Sequence, residues 1–215
     1  MKNILTIISI MLFTLLHSQT KLYVHPDGKR YAANTKTLAI LPLDVQVKMR
    51  PKQLKEFTSD QIKEMEKAEA LDIQKGMHTW FLTRKKRGES KLNVQPPVRT
   101  NALLKKAGID PHNYAEFLPS ELGEILNVDC VVMGTFETSK PMSDAAGIAI
   151  GVLFGGIAST NNAVCNLDFY DTRDDELVVN YLKKVSGGLG SDAQDLINVL
   201  MRKVTRRIPY TNQKL

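Results

Sequence analysis

The 215-residue chain carries four histidines and two cysteines, the side chains from which metal sites and activated nucleophiles are most often built. His25, His78 and His112 are far apart in sequence. None has a cysteine or second histidine at zinc-ligand spacing. The acidic run DTRDDE, Asp171–Glu176, lacks the glycine and the alternating ligands of a calcium loop, so it reads as a solvated hairpin turn. SGGLGSD, Ser186–Asp192, has no Lys-Ser/Thr pair to grip a phosphate, and Asp192 would repel an anion; it reads as a strand-to-helix connection. The basic run Arg84–Arg87 reads as a solvated helix end, or as a contact for anionic headgroups. These patterns predict no catalytic residue, no cofactor and no metal, and a chain that is not an enzyme. A small hydrolase assembled from distant residues is the enzymatic alternative. Cys130 and Cys165 fall in two predicted strands and are expected either as buried free thiols or as one disulfide.

The other unusual chemistry is apolar. AAGIAIGVLFGGIAST, Ala145–Thr160, holds four glycines and no charge, in a chain that is 24% charged. Gly147, Gly151 and Gly155 recur every fourth residue. On a helix they form one smooth row flanked by Ile148 and Val152, a surface that lets a second helix approach closely. Sixteen residues make a helix of about 24 Å, short of the roughly 30 Å hydrocarbon core, so a lone spanning helix is disfavoured. A period-two pattern competes: Ile148, Ile150, Val152 and Phe154 alternate with Gly147, Ala149, Gly151 and Gly155, broken by Leu153, as in a strand. Three uses stay open: membrane contact or self-association, packing within the domain, and a strand. An exposed apolar stretch of this size is costly in an isolated monomer, which favours a partner. The expected contact residues are Gly147, Ile148, Gly151, Val152, Phe154 and Gly155.

The N-terminus reads as a secretory signal. Lys2 precedes an apolar run, Ile4–Leu16, and LLHSQT offers Ser18 before a mature start at Gln19. Residues 1–18 are therefore set aside as a signal peptide. No cysteine lies at this junction, so lipidation there is not expected. The net charge of +6 falls to +5 without Lys2, a modest excess that fits anionic surfaces. Nucleic-acid partners are not expected outside the cytoplasm. The location read from these features is the periplasm or the periplasmic face of the outer membrane. The expected partner is a second copy or another envelope protein, with membrane contact as an option.

The rest of the chain must position these features. KLYVHPDGKRYA reads as a short hairpin within an N-terminal extension, residues 19–36. TLAILPLDV, Thr37–Val45, reads as one strand buried on both faces. Pro51 opens a long helix whose best-phased part is Ile73, Met77, Trp80 and Phe81, and Gly88 stops it. A short strand at Lys91–Gln95 follows, then helices over Val98–Lys106 and from Pro119 to Asn127. VDCVVMGTFETS is the strongest strand signal. NAVCNLDFYDT alternates with Cys165, Leu167 and Phe169 on its apolar side, and ELVVNYLKKV is its hairpin partner. A last helix opens at Ser191 with Gln194 as a capping box; Leu196, Leu200, Val204 and Ile208 share its apolar stripe. This order predicts a single α/β domain over residues 37–208, with a mixed β-sheet packed by helices, a glycine-rich apolar insertion at 141–160 between two strands, and a tail at 209–215.

TLAILPLDV, LGEILNVDCVVMGTF, CNLDFYDTRDDELVV and DAQDLINVLMRKV, taken in order, resemble the exported α/β domain of the curli-secretion channel CsgG, the TolB amino-terminal domain and related envelope lipoproteins. The resemblance spans roughly Thr37–Ile208 and rests on apolar runs rather than on catalytic signatures. It implies an envelope assembly role: a secretion channel, a scaffold, or a module that binds other envelope proteins. The chain departs from it in lacking the lipidation cysteine. The function read from the sequence is a non-enzymatic exported envelope protein, an assembly or secretion-associated scaffold acting through the glycine-rich segment. A periplasmic module that binds and regulates a partner protein is the alternative, and a groove beside the sheet would favour it.

Overall fold

The centre of the sheet is the strand with the strongest sequence signal. β5 (Cys130–Thr138) is bonded along both edges and is buried on both faces at its start, where Val131 and Val132 are fully inaccessible; further along, Thr135 is exposed. In this computed structural model, residues 20–49, 51–55, 57–138, 161–187 and 193–211 are described. On one side of β5 lies an antiparallel run: β6 (Asn161–Asp171), β7 (Leu177–Gly187) and β1 (Thr20–Val24). On the other side, β2 (Thr37–Ile40) and β3 (Asp44–Val47) pair with β5 in parallel, one after the other. The two-residue β4 (Asn93–Val94) covers the outer edge of β2. The result is the mixed α/β sheet expected, with seven strands.

Each face is covered because each presents an apolar set. Leu38, Ile40, Val132, Phe136, Cys165, Leu167 and Phe169 face a long helix α3 (Ser59–Lys86) and the closing helix α6 (Ala193–Val204). Ala39, Leu41 and Val131 face α4 (Pro97–Lys106) and α5 (Pro119–Leu126). Where β5 and β6 come closest, Gly134 is required: φ is +156° and a Cβ would lie 1.9 Å from the Asn166 carbonyl oxygen.

α3 begins at a capping box that the sequence reading missed. Thr58 Oγ1 accepts from the Gln61 amide, and Gln61 Oε1 accepts from the Thr58 amide at 2.8 Å. Pro51 therefore opens only a four-residue helix, α2 (Pro51–Leu54). α3 and α6 are pinned together by Trp80 Nε1 donating to Asn198 Oδ1 at 2.8 Å and Arg84 Nε donating to Thr205 Oγ1 at 3.1 Å.

Two further expectations are corrected. The residues read as an N-terminal hairpin form instead β1 and a helix α1 (Gly28–Asn34). Asp27 turns the chain into this helix, accepting from the Arg30 and Tyr31 amides, and Tyr31 and Ala32 are buried. β1 pairs with β7, and Lys183 Nζ donates to Thr20 Oγ1 at 2.7 Å. TLAILPLDV is not one strand but two, divided at Pro42. Past α6, Ile208 and Tyr210 are fully buried, and Tyr210 stacks on Phe169 at 5.6 Å. Residues 1–19, the 139–160 segment, Ser191 and its capping box lie outside the described residues.

Asp129 clamps the start of β2 to the start of β5. Its Oδ2 accepts from the Lys36 amide, the Thr37 amide and Thr37 Oγ1, at 2.8–2.9 Å. Burial alone would raise this carboxyl, but the Thr37 and Lys36 amides and the Thr37 hydroxyl outweigh it and hold the pKa below its usual value. A depressed carboxyl contributes stability above its unfolded pKa and loses it as pH falls through the folded one. Asp129→Asn is therefore expected to lower the urea midpoint at pH 7. It should also flatten the loss of stability below about pH 4 relative to the parent; parallel pH profiles for the two proteins would refute the clamp. Leu200, 1% exposed, should cost about 2–5 kcal/mol on truncation to Ala in chemical denaturation.

Candidate functional site

The division at Pro42 creates the most distinctive surface of the described domain. Between the pairs Ile40–Val132 and Asp44–Thr135, the β2–β3 side advances four residues while β5 advances three. One residue is extra: a bulge at Leu41-Pro42-Leu43, where proline has no N–H to leave unpaired. The bulge reverses the direction of the amides. Before it, the Leu41 amide points inward, to the Val132 carbonyl at 2.9 Å; after it, the Lys48 amide points inward, to the Thr138 carbonyl at 2.8 Å. By alternation, the Val45 and Val47 amides point away from β5, out of the sheet edge.

That edge is closed in steps. β4 covers Thr37 and Leu38. Next, Gln74 of α3, fully buried, donates Nε2 to the Ile40 carbonyl at 2.7 Å. The same amide exchanges two hydrogen bonds of 2.9 Å with the Asn101 side chain. At the far end, Glu66 Oε1 accepts from the outward Val47 amide at 2.9 Å, standing where the carbonyl of another strand would stand. Between these two plugs lies a groove of about 550 Å³. Pro42, Leu43 and Val45 line it from the strand edge, Ala70 and Leu71 from α3, and Leu104, Ile109 and Tyr114 from the opposite helical layer. Tyr114 is held by its hydroxyl, which donates to the Gly134 carbonyl at 2.7 Å; burial raises its pKa. The rim carries Lys63, Lys67, Lys105 and His112 together with Glu64 and Asp110. Apolar walls with an outward strand amide suit an extended apolar chain. His112 Nδ1 lies 3.8 Å from Asp44 Oδ1 at this rim.

The residues weighed from the sequence are scattered. His25 packs edge-on against Tyr31 at 5.3 Å and faces Glu176 at 3.6 Å. His78 is half-buried, and burial lowers its pKa. Among the described residues no group of three His, Cys, Asp or Glu could hold a metal. The Asp171–Glu176 run is the β6–β7 hairpin turn expected, with Arg173 and Asp174 exposed, and its carboxylates also tie it to the fold. Asp171 is fully buried and receives Arg173 Nε at 2.8 Å, Asp174 receives the Tyr31 hydroxyl at 2.9 Å, and Asp175 receives the Ser120 amide at 2.6 Å. Within Arg84–Arg87, Arg84 is not at a solvated end. It is 4% exposed, pairs with Glu89, and lies over the Trp80 ring at 5.5 Å.

Cys130 and Cys165 are free thiols. Cys130 sits opposite Asp171 and Cys165 opposite Phe136, six positions further along β5. At strand rise that is about 20 Å, far beyond the Cα separation of a disulfide. The bridge weighed from the sequence is corrected to two buried thiols, both with pKa raised by burial. Gly147, Ile148, Gly151, Val152, Phe154 and Gly155 lie outside the described residues.

No protein-family profile matches the sequence, and no curated protein matches it. Solved structures with a similar arrangement include a PelC dodecamer from Paraburkholderia phytofirmans, at 12% identity and TM-score 0.44, covering 92% of this chain and 99% of that one. Lipoprotein GNA1162 from Neisseria meningitidis matches at 12% identity and TM-score 0.44, covering 80% and 96%. The LpoB C-terminal domain from Salmonella enterica matches at 6% identity and TM-score 0.30, covering 71% and 82%. None of the three is described as a CsgG or TolB protein, and likenesses this distant carry no functional argument for this chain.

The edge plug is testable directly. Gln74→Leu keeps the bulk and leaves the Ile40 carbonyl and the Asn101 amide without their partner. The expected cost is about 1–3 kcal/mol in urea unfolding. A loss below about 0.5 kcal/mol would show that the amide pair does not close the edge.

Proposed function

We propose that the chain is a non-enzymatic exported envelope protein, an assembly or secretion-associated scaffold. It self-associates or contacts the membrane through Gly147, Ile148, Gly151, Val152, Phe154 and Gly155, and it works in the periplasm or at the periplasmic face of the outer membrane. One observation carries this reading. Thr138 at the end of β5 pairs with Ala163 near the start of β6, so residues 139–160 leave and re-enter the sheet at neighbouring points of one end. The least polar stretch of the processed chain thus attaches at one end of the domain, the arrangement expected of a face turned toward a membrane or another copy. Among the described residues no helix is long and apolar enough to cross a membrane. The groove beside the sheet edge favours a second reading, a periplasmic module that binds and regulates a partner protein.

If LLHSQT is the processing site, protein recovered from the envelope should begin at Gln19 by intact-mass analysis; a retained Met1 would replace secretion with anchoring. Gly151→Leu adds bulk to the centre of the glycine row while raising apolarity and helix propensity. The expected result is loss of self-association or membrane association, with the domain still folded by circular dichroism. Unfolding of the domain would mean that the segment packs inside its own chain. No change in assembly, membrane association or stability would end this reading.

A further inference from the structure

The groove and the glycine-rich segment fit each other, and the fit names an acceptor for the self-association read above, on which this inference rests, with the segment used as the strand of its period-two reading rather than as a helix. We propose that the open edge of β3 receives Gly147–Gly155 of a second copy as an added strand.

Three observations carry it. First, the edge is open only where a strand could be added. Gln74 closes it at Ile40 and Glu66 closes it at Val47, and the outward amide of Val45 lies between them, on the groove. Unpaired strand edges are what a second chain adds to, through main-chain hydrogen bonds. Second, the walls are apolar on both sides. Leu43, Val45 and Ala70 belong to one helical layer, and Leu104 and Ile109 to the other, so an inserted strand meets apolar side chains on both its faces. Gly147–Gly155 is uncharged, and Ile148, Ile150 and Val152 alternate with small residues at strand period until Leu153, which stands beside Phe154. A charged or amphipathic strand would have to bury polar groups on one of those walls.

Third, donor and acceptor stand at the same end of the sheet. β3 runs toward the end where Val47 pairs with Thr138, and residues 139–160 begin at the next position. Twenty-two residues separate Thr138 from Asn161, an available length of chain set by about 3.3 Å per extended residue. The reach is enough to enter a neighbour's groove. A second copy is the occupant that the self-association reading calls for, and a segment held in its own groove is the opposing outcome of the test.

The test uses the full processed chain in two differently tagged copies, one carrying Lys67→Cys on the groove rim and the other Val152→Cys. Cys130 and Cys165 are fully buried and do not compete. On mild oxidation the expected product is a covalent dimer carrying both tags, and Arg30→Cys in place of Lys67→Cys should give none. A parent that self-associates without any mixed-tag product overturns the groove as acceptor and leaves the self-association intact. A Lys67→Cys/Val152→Cys double variant that closes within one chain, with no mixed-tag dimer, also overturns it. A parent that stays monomeric at every concentration removes self-association from the functional reading, leaving membrane contact, and overturns this inference with it. As a second measurement, Val45→Pro deletes the outward N–H while the bonds to β5 come from its neighbours. It should weaken association about tenfold or more, as one lost main-chain hydrogen bond and its register would, whereas Val45→Ala, which keeps the N–H, should weaken it less. Equal association by folded Val45→Pro and parent would overturn strand addition.

Discussion

Everything in this fold is referred to β5. Its residues alternate between two dry layers, Val132 and Phe136 toward one and Val131 toward the other. Both of its edges are bonded, by β6 in antiparallel and by β2 and β3 in parallel. A strand with no free edge has its backbone groups satisfied inside the sheet, so its neighbours must match it in register along nine residues. On the β6 side the match is strict, and Gly134 lets the two backbones meet. On the parallel side the match is met by two short strands and one extra residue.

That extra residue has consequences beyond packing. The bulge at Pro42 turns the outward amides of β3 toward a gap that no strand fills among the described residues. The protein treats most of this edge as a liability and closes it with side chains: the buried Gln74–Asn101 amide pair at Ile40 and the Glu66 carboxylate at Val47. Buried amides of this kind are tolerated only when both ends are matched, and here both are. The stretch left open between the plugs, lined by apolar residues from both helical layers, is the part of the surface shaped for another chain.

Charged residues serve the fold in places where they could be mistaken for functional groups. Arg84 links the two helices of one layer, and Asp171, Asp174 and Asp175 tie the β6–β7 turn to Arg173, to α1 and to α5. Asp129 holds the origins of β2 and β5 together through three donors. In sequence these residues look like solvated charge. Their roles come from partners that stand 55 to 143 positions away in the long-range cases.

The sequence by itself determined the class of fold and its centre. Val131, Val132, Cys165, Leu167 and Phe169 announce buried strands because β-branched and apolar residues in runs or in period two have no other stable use. Ile73, Met77, Leu200 and Val204 announce the helices that cover them, because only a helix brings such spacings onto one stripe. The tertiary structure decided what periodicity does not encode. It split Thr37–Val45 at Pro42, because whether a proline ends a strand or bulges it depends on the partner's register. It made Gly28–Asn34 a helix and gave Thr20–Val24 to β7 rather than to a local hairpin, since a strand's partner is chosen across the whole sheet. It also placed Gln74 on an edge carbonyl. The trace of that in the sequence is a polar residue beside Ile73 on the buried side of α3, where Glu69 and Arg84 are buried as well. Local pattern reports which side chains must be hidden, and three-dimensional pairing decides which backbone edge is left for something else to bind.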